Sequence, residues 1–598
     1  MRAWLTTSVP RWGVAALLVA LVAVPVVFTR RAAEAFMVPK VTLLWLCLIV
    51  VAWGLVVEAL ATRRWPVPRL RAWLPLGFLV GWTAIATAFS TSPATSLLGR
   101  YARYDGLLGT LGGALVMVAV VAHTWRDPGK LRAVAIAIVA GAALGHAYVN
   151  VQQLGWDWVP WLNDAQQPLE RPYGLLGNSN FSGAHLAIAL PLLLLLRDQV
   201  HKPRLRLALL ALSAVLLLGV WWTGTRGGLL AAVGGVAVAG LLAPELVPRS
   251  VRWASWALTV VALALMVQAG TSSSLATQDA AGTPRFLQGA TLVDRREIWD
   301  GGLRMAADHP LVGVGPDAFG LRYTDYRRLR SADAVPINAD EAHNIVIDRL
   351  ATAGIPAAAS YLWLVGLLAA AAWRARRTID EQHRWLLAGF GGAFAGYLLQ
   401  AMVSIDVVPL ALLGWTCAGA LASLADPGAV AARADDAAPV AQVRAVRLSV
   451  LAASGAAAVV LAGIAVRPLV ADAHLRRGLE AANVRNDRLA AVAEVQTAIS
   501  WLDQEPSYHR ALADQLVIIA TTQSASAEDR RLLLEEAVIA YRDAADRSPG
   551  DIQALRPLAR TLVLLADADA SARDADLLEA STILGDLVAR VPADASLR

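Results

Sequence analysis

From about residue 13 onward the chain alternates long apolar runs with short polar breaks. Apolar runs lie near 13–29, 38–60, 72–89, 106–123, 132–151, 180–196, 207–222, 228–243, 253–270, 343–372, 385–403 and 406–425, and a thirteenth occupies 447–466. Most are long enough, at about 1.5 Å of helix rise per residue, to cross a hydrocarbon core of about 30 Å. A backbone in lipid must satisfy its own N–H and C=O groups, so such runs are expected to be helices. The pattern therefore predicts an all-α fold built on a polytopic transmembrane helical bundle of about 12–13 spans. The first run is expected to be a retained span rather than a cleaved signal, because a second follows closely.

The pattern changes after residue 466. The stretch 467–598 is charged, rich in Ala and Leu, and amphipathic, as in "RRLLLEEAVIAYRDAADR". Within it "PSYHRAL", "PGDIQAL" and "PADASL", starting at Pro506, Pro549 and Pro592, begin 43 residues apart. A Pro/Gly/Asp turn followed by a helix suits a tetratricopeptide-like array, which presents a concave binding surface to a protein partner. A plain helical bundle is the other reading. The expected organisation is a transmembrane domain at 1–425 with a large extracytoplasmic loop at 271–342, a linker at 426–446, an additional transmembrane helix at 447–466, and a soluble C-terminal helical-repeat domain at 467–598.

Composition agrees with the membrane reading and charge orients it. The chain is 57% hydrophobic and only 17% charged, against about 25% charged in soluble domains. The net charge of +6 could suggest nucleic acid, but the excess Lys and Arg lie in short loops. The short loops after runs 2, 4, 6, 8 and 10 carry 17 of them and the short loops after runs 1, 3, 5, 7 and 11 carry 7. The positive-inside rule then places the N-terminus in the cytoplasm, and the 271–342 loop and the C-terminal region outside. The two cysteines, Cys47 and Cys417, sit in apolar runs, leaving no disulfide framework or metal cluster.

Four segments keep polar groups at the predicted outer ends of spans, where such groups are functional candidates. In "GLLGNSNFSG", Asn178 and Asn180 either cap a helix or offer amides to a ligand. In "TGTRGG", a very short turn holds Arg226 at the surface beside two threonines. It either snorkels or binds a phosphate oxygen. In "DRREIWDGGLRMAADHPLVGVGPDAF", residues 294–307 read as a helix with Arg295, Arg296 and Trp299 near its start, and the remainder as a turn-rich return. Either arginine could clamp a second phosphate, or the helix has a solvated face. In "EAHNIVIDRLATAG", His343, Ile347, Leu350 and Gly354 recur at helical spacing, with His343 in the first turn. His343 is either a general base or a capping interfacial histidine. No metal-ligand spacing, P-loop or dinucleotide fingerprint occurs, so no metal and no cofactor is expected.

The segments "GRYARYDGLLG", "GNSNFSGAHLAIALPLLLLL", "GTRGGLLAAVGG", "RREIWDGGLRMAADHPLVGVGPDAFG" and "AHNIVIDRLATAGIPA" resemble, in that order, the O-antigen ligase/O-antigen polymerase superfamily over about 100–425. Tetratricopeptide-like tails resemble an appendage of many bacterial members. The resemblance makes 1–425 a transmembrane glycan-transfer domain, and implies a metal-independent, inverting membrane glycosyltransferase in the bacterial inner membrane. It would take a glycan from an undecaprenyl diphosphate donor to an acceptor hydroxyl outside the cytoplasm. It implies catalysis by His343 and diphosphate binding by Arg226 and Arg295 or Arg296, with Asn178, Asn180, Trp299, Asn344 and Arg103 in support. The acceptor could be a lipid or cell-wall anchor, another repeat unit in a polymerase, or a protein side chain in an O-oligosaccharyltransferase. A lipid-linked glycan transporter is the non-enzymatic alternative, but no inverted repeat is seen.

Overall fold

The computed structural model describes residues 9–62, 65–125, 127–159, 171–271, 290–327, 339–425, 444–522, 526–568 and 573–590. The regular elements among the described residues are all helices, with no strand among them. In chain order the helices are α1 (Val9–Ala23), α2 (Met37–Thr62), α3 (Trp73–Ala88), α4 (Pro93–Leu98), α5 (Leu107–Thr124), α6 (Pro128–Gln153) and α7 (Ser179–Asp198). There follow α8 (Pro203–Trp222), α9 (Arg226–Leu242), α10 (Arg249–Thr271), α11 (Ala290–Asp308), α12 (Phe319–Tyr326), α13 (Ile345–Ala375), α14 (Arg384–Ala401) and α15 (Val408–Ala425). The last six are α16 (Arg444–Asn483), α17 (Arg488–Trp501), α18 (Pro506–Thr522), α19 (Ala527–Arg547), α20 (Ile552–Ala568) and α21 (Arg573–Arg590).

Seven of these helices are long and apolar enough to cross a membrane: α2, α5, α6, α7, α8, α13 and the α16 rod. The helices α1, α3, α9 and α15 are apolar but shorter. The first apolar run stops being helical at Ala23, six residues before its predicted end. Pro25 explains this, since a residue before proline is pushed out of the α region. The amides of Val26 and Val27 instead turn back to the Ala23 carbonyl.

Helix α7 is the centre of the bundle, and its apolar positions are buried on all sides. It packs against α9 and α14. Small residues allow this approach: a Cβ on Gly235 of α9 would lie 2.8 Å from the Gly392 carbonyl of α14. Close backbone packing of this kind substitutes, between membrane helices, for a hydrophobic driving force.

Helix α13 departs most from the predicted run at 343–372. Its 31 residues amount to about 46 Å, well beyond a hydrocarbon core. The excess is accommodated by a break at Gly354, where φ is 79° and ψ 175°, a region essentially reserved for glycine. The break frees backbone groups that lipid could not satisfy. The turn-rich return 309–315 is wedged there to satisfy them. Val314 N donates to Ala351 O at 3.0 Å, Gly315 N to Thr352 O at 2.9 Å, and Ile355 N to Pro310 O at 2.8 Å. The stretch 355–375 then suffices for a span of about 30 Å, and the short helix 345–353 stands beyond it. Gly354 therefore ends one helical segment rather than sharing a face with His343.

Helix α16 is one continuous rod of 40 residues. It joins the last apolar run to a series of helices that pack in chain order, α16 on α17 and on through α21. Of the repeated prolines, Pro506 opens α18 and Pro549 precedes α20, while Pro592 lies outside the described residues. Of the linker predicted at 426–446, residues 426–443 lie outside them too, and 444–446 belong to α16.

Candidate active site

Chain direction brings the polar segments to one end of the bundle. Helices α7, α9 and α13 begin at that end, and α8 and α14 finish there. The turn between α8 and α9 is only Thr223–Thr225, with Gly224 at φ 61°. Arg226 is thus the first residue of α9. The threonine hydroxyls turn inward instead of flanking it: Thr223 Oγ1 donates to Val220 O at 2.7 Å, and both threonines are buried against Gly183 of α7.

A cavity of about 180 Å³ opens over this turn, lined by Arg171, Asn180, Arg226, Arg295, Gln400 and Ser404 among others. Three guanidinium groups in one cavity make a site for a polyanion, because arginine binds phosphate oxygens by charge-assisted, often bidentate bonds. The first-turn N–H groups of α9, which no side chain caps, add positive potential at the same place. Of the two candidate arginines in α11, Arg295 lines the cavity, whereas Arg296 is exposed and does not. Asn180 lines it as well, while Asn178 is the N-cap of α7 and accepts from Asn180 N at 2.8 Å. The indole N–H of Trp299 is buried without a hydrogen-bond partner among the described residues.

His343 stands just before α13, not in its first turn, with φ at 52°. A left-handed non-glycine residue costs about 1–2 kcal/mol, and its neighbours hold it there. Asn344 caps α13, accepting from Val346 N at 3.0 Å and Ile347 N at 3.1 Å, and donates through Nδ2 to Met402 O at 3.1 Å. The second bond ties the start of α13 to the end of α14, next to the cavity residues Val403 and Ser404. On the other side Arg103 Nη1 meets Glu341 Oε1 at 2.6 Å, and Arg100 Nη1 meets Asp340 Oδ1 at 2.7 Å. Arg103 therefore positions the residues before His343 and does not line the cavity. Asp348 and Arg349 also find places: Asp348 Oδ1 accepts from Ala342 N, and Arg349 lies over the Tyr361 ring at 4.7 Å.

The electrostatics of His343 follow from this setting. Burial is the largest influence on the imidazole and lowers its pKa. The positive charges of Arg295 and Arg103 lower it further, and Asp340 opposes them; the result is about 4 against an ordinary 6.5. The ring is neutral near pH 7, with Nδ1 buried and without a hydrogen-bond partner among the described residues. His343 itself does not line the cavity; it is linked to it by the charge of Arg295 and by the Asn344–Met402 bond. A neutral imidazole so placed can take a proton from a hydroxyl while the arginines neutralise an anion. Burial also raises the Asp317 carboxyl to about 6, although the Arg100 amide donates to it.

Arg171, Gln400 and Ser404 escaped the sequence reading. The available signal was an amide, Gln400, inside the apolar run 385–403. Arg171 gave none, standing alone in a polar loop.

No curated protein matches the chain. A family model described as O-antigen ligase matches residues 208–362. The matched segment runs from α8 into α13 and contains Arg226, Arg295, Trp299, His343 and Asn344, while Arg103, Arg171, Asn180 and Gln400 lie outside it. The chain, a membrane protein by its apolar helices, thus carries an O-antigen ligase family domain over residues 208–362.

Proposed function

We propose that this protein transfers a glycan from an undecaprenyl-diphosphate-linked donor to an acceptor hydroxyl on the outer side of the bacterial cytoplasmic membrane. The observation that carries the reading is a three-arginine cavity one of whose arginines, Arg295, also acts by its charge on a neutral, partly buried histidine. Arg226 and Arg295, with Arg171, bind the donor diphosphate. His343 takes the proton of the acceptor hydroxyl as its oxygen attacks the anomeric carbon. The bond from that carbon to the phosphate oxygen breaks, and the electron pair leaves with the diphosphate. A single displacement of this kind inverts the anomeric configuration. The guanidinium groups offset the charge that develops on the leaving group, the role a metal ion plays in other phosphate-leaving reactions.

The donor is a lipid, which accounts for a cavity at the ends of apolar helices. The helices following α16 would lie on the outer side, where a repeat-like array could recruit the acceptor or its carrier.

Purified protein with a lipid-linked glycan and an acceptor hydroxyl tests the reading directly. His343→Asn is the informative variant, because asparagine tolerates the left-handed backbone at this position. Transfer should fall by about a hundredfold or more in His343→Asn, and the product of the native protein should carry the inverted linkage. Wild-type rates in both His343→Asn and Arg226→Ala would overturn it.

A further inference from the structure

The cavity holds one group that binding of a diphosphate leaves unexplained. Gln400, in the last turn of α14, is 1% exposed and lines the cavity. Its Nε2 faces the Ile405 carbonyl at 3.5 Å, which sets the amide orientation, since the reverse would oppose two oxygens. Its Oε1 is then buried with no hydrogen-bond donor among the described residues. A buried acceptor without a donor is costly, and it is retained here in a cavity otherwise furnished for anions. An anion cannot satisfy it, because a phosphate oxygen offers no proton.

Resting on the function proposed above, we propose that Gln400 reads the first sugar of the donor by accepting a hydrogen bond from the substituent beside the anomeric carbon, a hydroxyl or an amide N–H. Position supports that assignment. The Gln400 side chain passes Gly227, with its Cγ 3.5 Å from where a Cβ on Gly227 would stand, one residue from Arg226. A ligand whose diphosphate meets Arg226 therefore carries near Gln400 the atoms closest to that diphosphate. In a glycosyl diphosphate these are the anomeric centre and the next ring carbon. The substituent on that carbon is the nearest group able to donate. A donor lacking it leaves Oε1 unsatisfied, the situation in which binding sites discriminate most strongly.

The test uses undecaprenyl diphosphate donors differing only at that carbon: hydroxyl, acetamido and deoxy. It compares kcat/KM in the native protein, in Gln400→Met and in Gln400→Leu. Comparing ratios cancels the intrinsic effect of the deoxy substitution on reactivity. The native protein should prefer the hydroxyl or the acetamido donor over the deoxy donor by about tenfold, and the variants should lose most of that preference. A preference that persists in the variants within about twofold overturns the assignment to Gln400. So does a native protein that shows no preference, a measurement that needs no variant. Either result leaves glycan transfer itself standing, whereas no transfer from any lipid-linked glycan removes the function and this inference together.

Discussion

In the proposed reaction Arg295 binds the diphosphate and, through its charge, also acts on His343; replacing it with glutamine separates the two roles. Losing a guanidinium–phosphate contact costs about 1.5–3 kcal/mol, a rise in KM of about 10- to 150-fold at about 1.4 kcal/mol per decade. The second effect lies in the pH profile. The fall of the imidazole from 6.5 to about 4 corresponds to roughly 3 kcal/mol against its charged form. Burial is the largest contributor, followed by Arg295 and then Arg103, so Arg295 supplies less than half. Removing its charge makes the protonated imidazole easier to form, and the neutral base is then lost at a higher pH. The acid limb of kcat/KM, which reports the free enzyme, should move from about 4 upward by roughly half to one pH unit. For the native protein the limb of kcat should lie above that of kcat/KM, because bound diphosphate offsets the same arginine. Initial transfer rates across the acid range at low and saturating donor measure both. An Arg295→Gln variant with weakened donor binding but an unmoved or lowered acid limb would refute the coupling. The exposed Arg296, changed to Gln, should move neither quantity.

Other parts of the structure give further tests. Gly354→Ala would place a Cβ 2.0 Å from the Leu311 carbonyl oxygen in a backbone region alanine avoids. It should destabilise by about 3 kcal/mol or more, read as a lower melting temperature in detergent; an unchanged melting curve would count against the wedged break. Asn344→Ala removes the α13 cap and the tie to Met402. We expect a loss of about 1–2 kcal/mol and a fall in kcat as His343 loses its fixed backbone; normal kcat would show that the tie is dispensable. Tyr101 donates its hydroxyl to the buried Asp472 of α16 and packs edge-on against Tyr508, two residues from Arg103. Tyr101→Phe should loosen the C-terminal helices, raising their cleavage by added protease and lowering transfer several-fold; unchanged cleavage and rate would separate these helices from the site.

Much of the fold was legible because its signals are local. Each apolar run has helical periodicity and length within itself, and lipid permits few alternatives to a helix. The turn holding Arg226 and the Asn178 cap could likewise be read from neighbouring residues. The break in α13 could not. Gly354 inside an apolar run looks like any tolerated glycine, and it becomes a break only because residues 310–315, some forty positions earlier, supply the partners its freed carbonyls and amides require.

The same distinction runs through the site. The sequence determined that a histidine, an asparagine and several arginines stand at helix ends on one side of a membrane bundle. Tertiary structure decided that Arg295 and not Arg296 lines the cavity, that Arg171 joins it from a loop, and that Arg103 braces the approach to His343. It also decided that Gln400 lines the same cavity with its side-chain oxygen buried and without a partner among the described residues. The physical reason is one of range. Helix propensity and hydrophobic period act over a few residues, whereas charge pairing, burial and the orientation of a buried amide depend on partners set far apart in the chain.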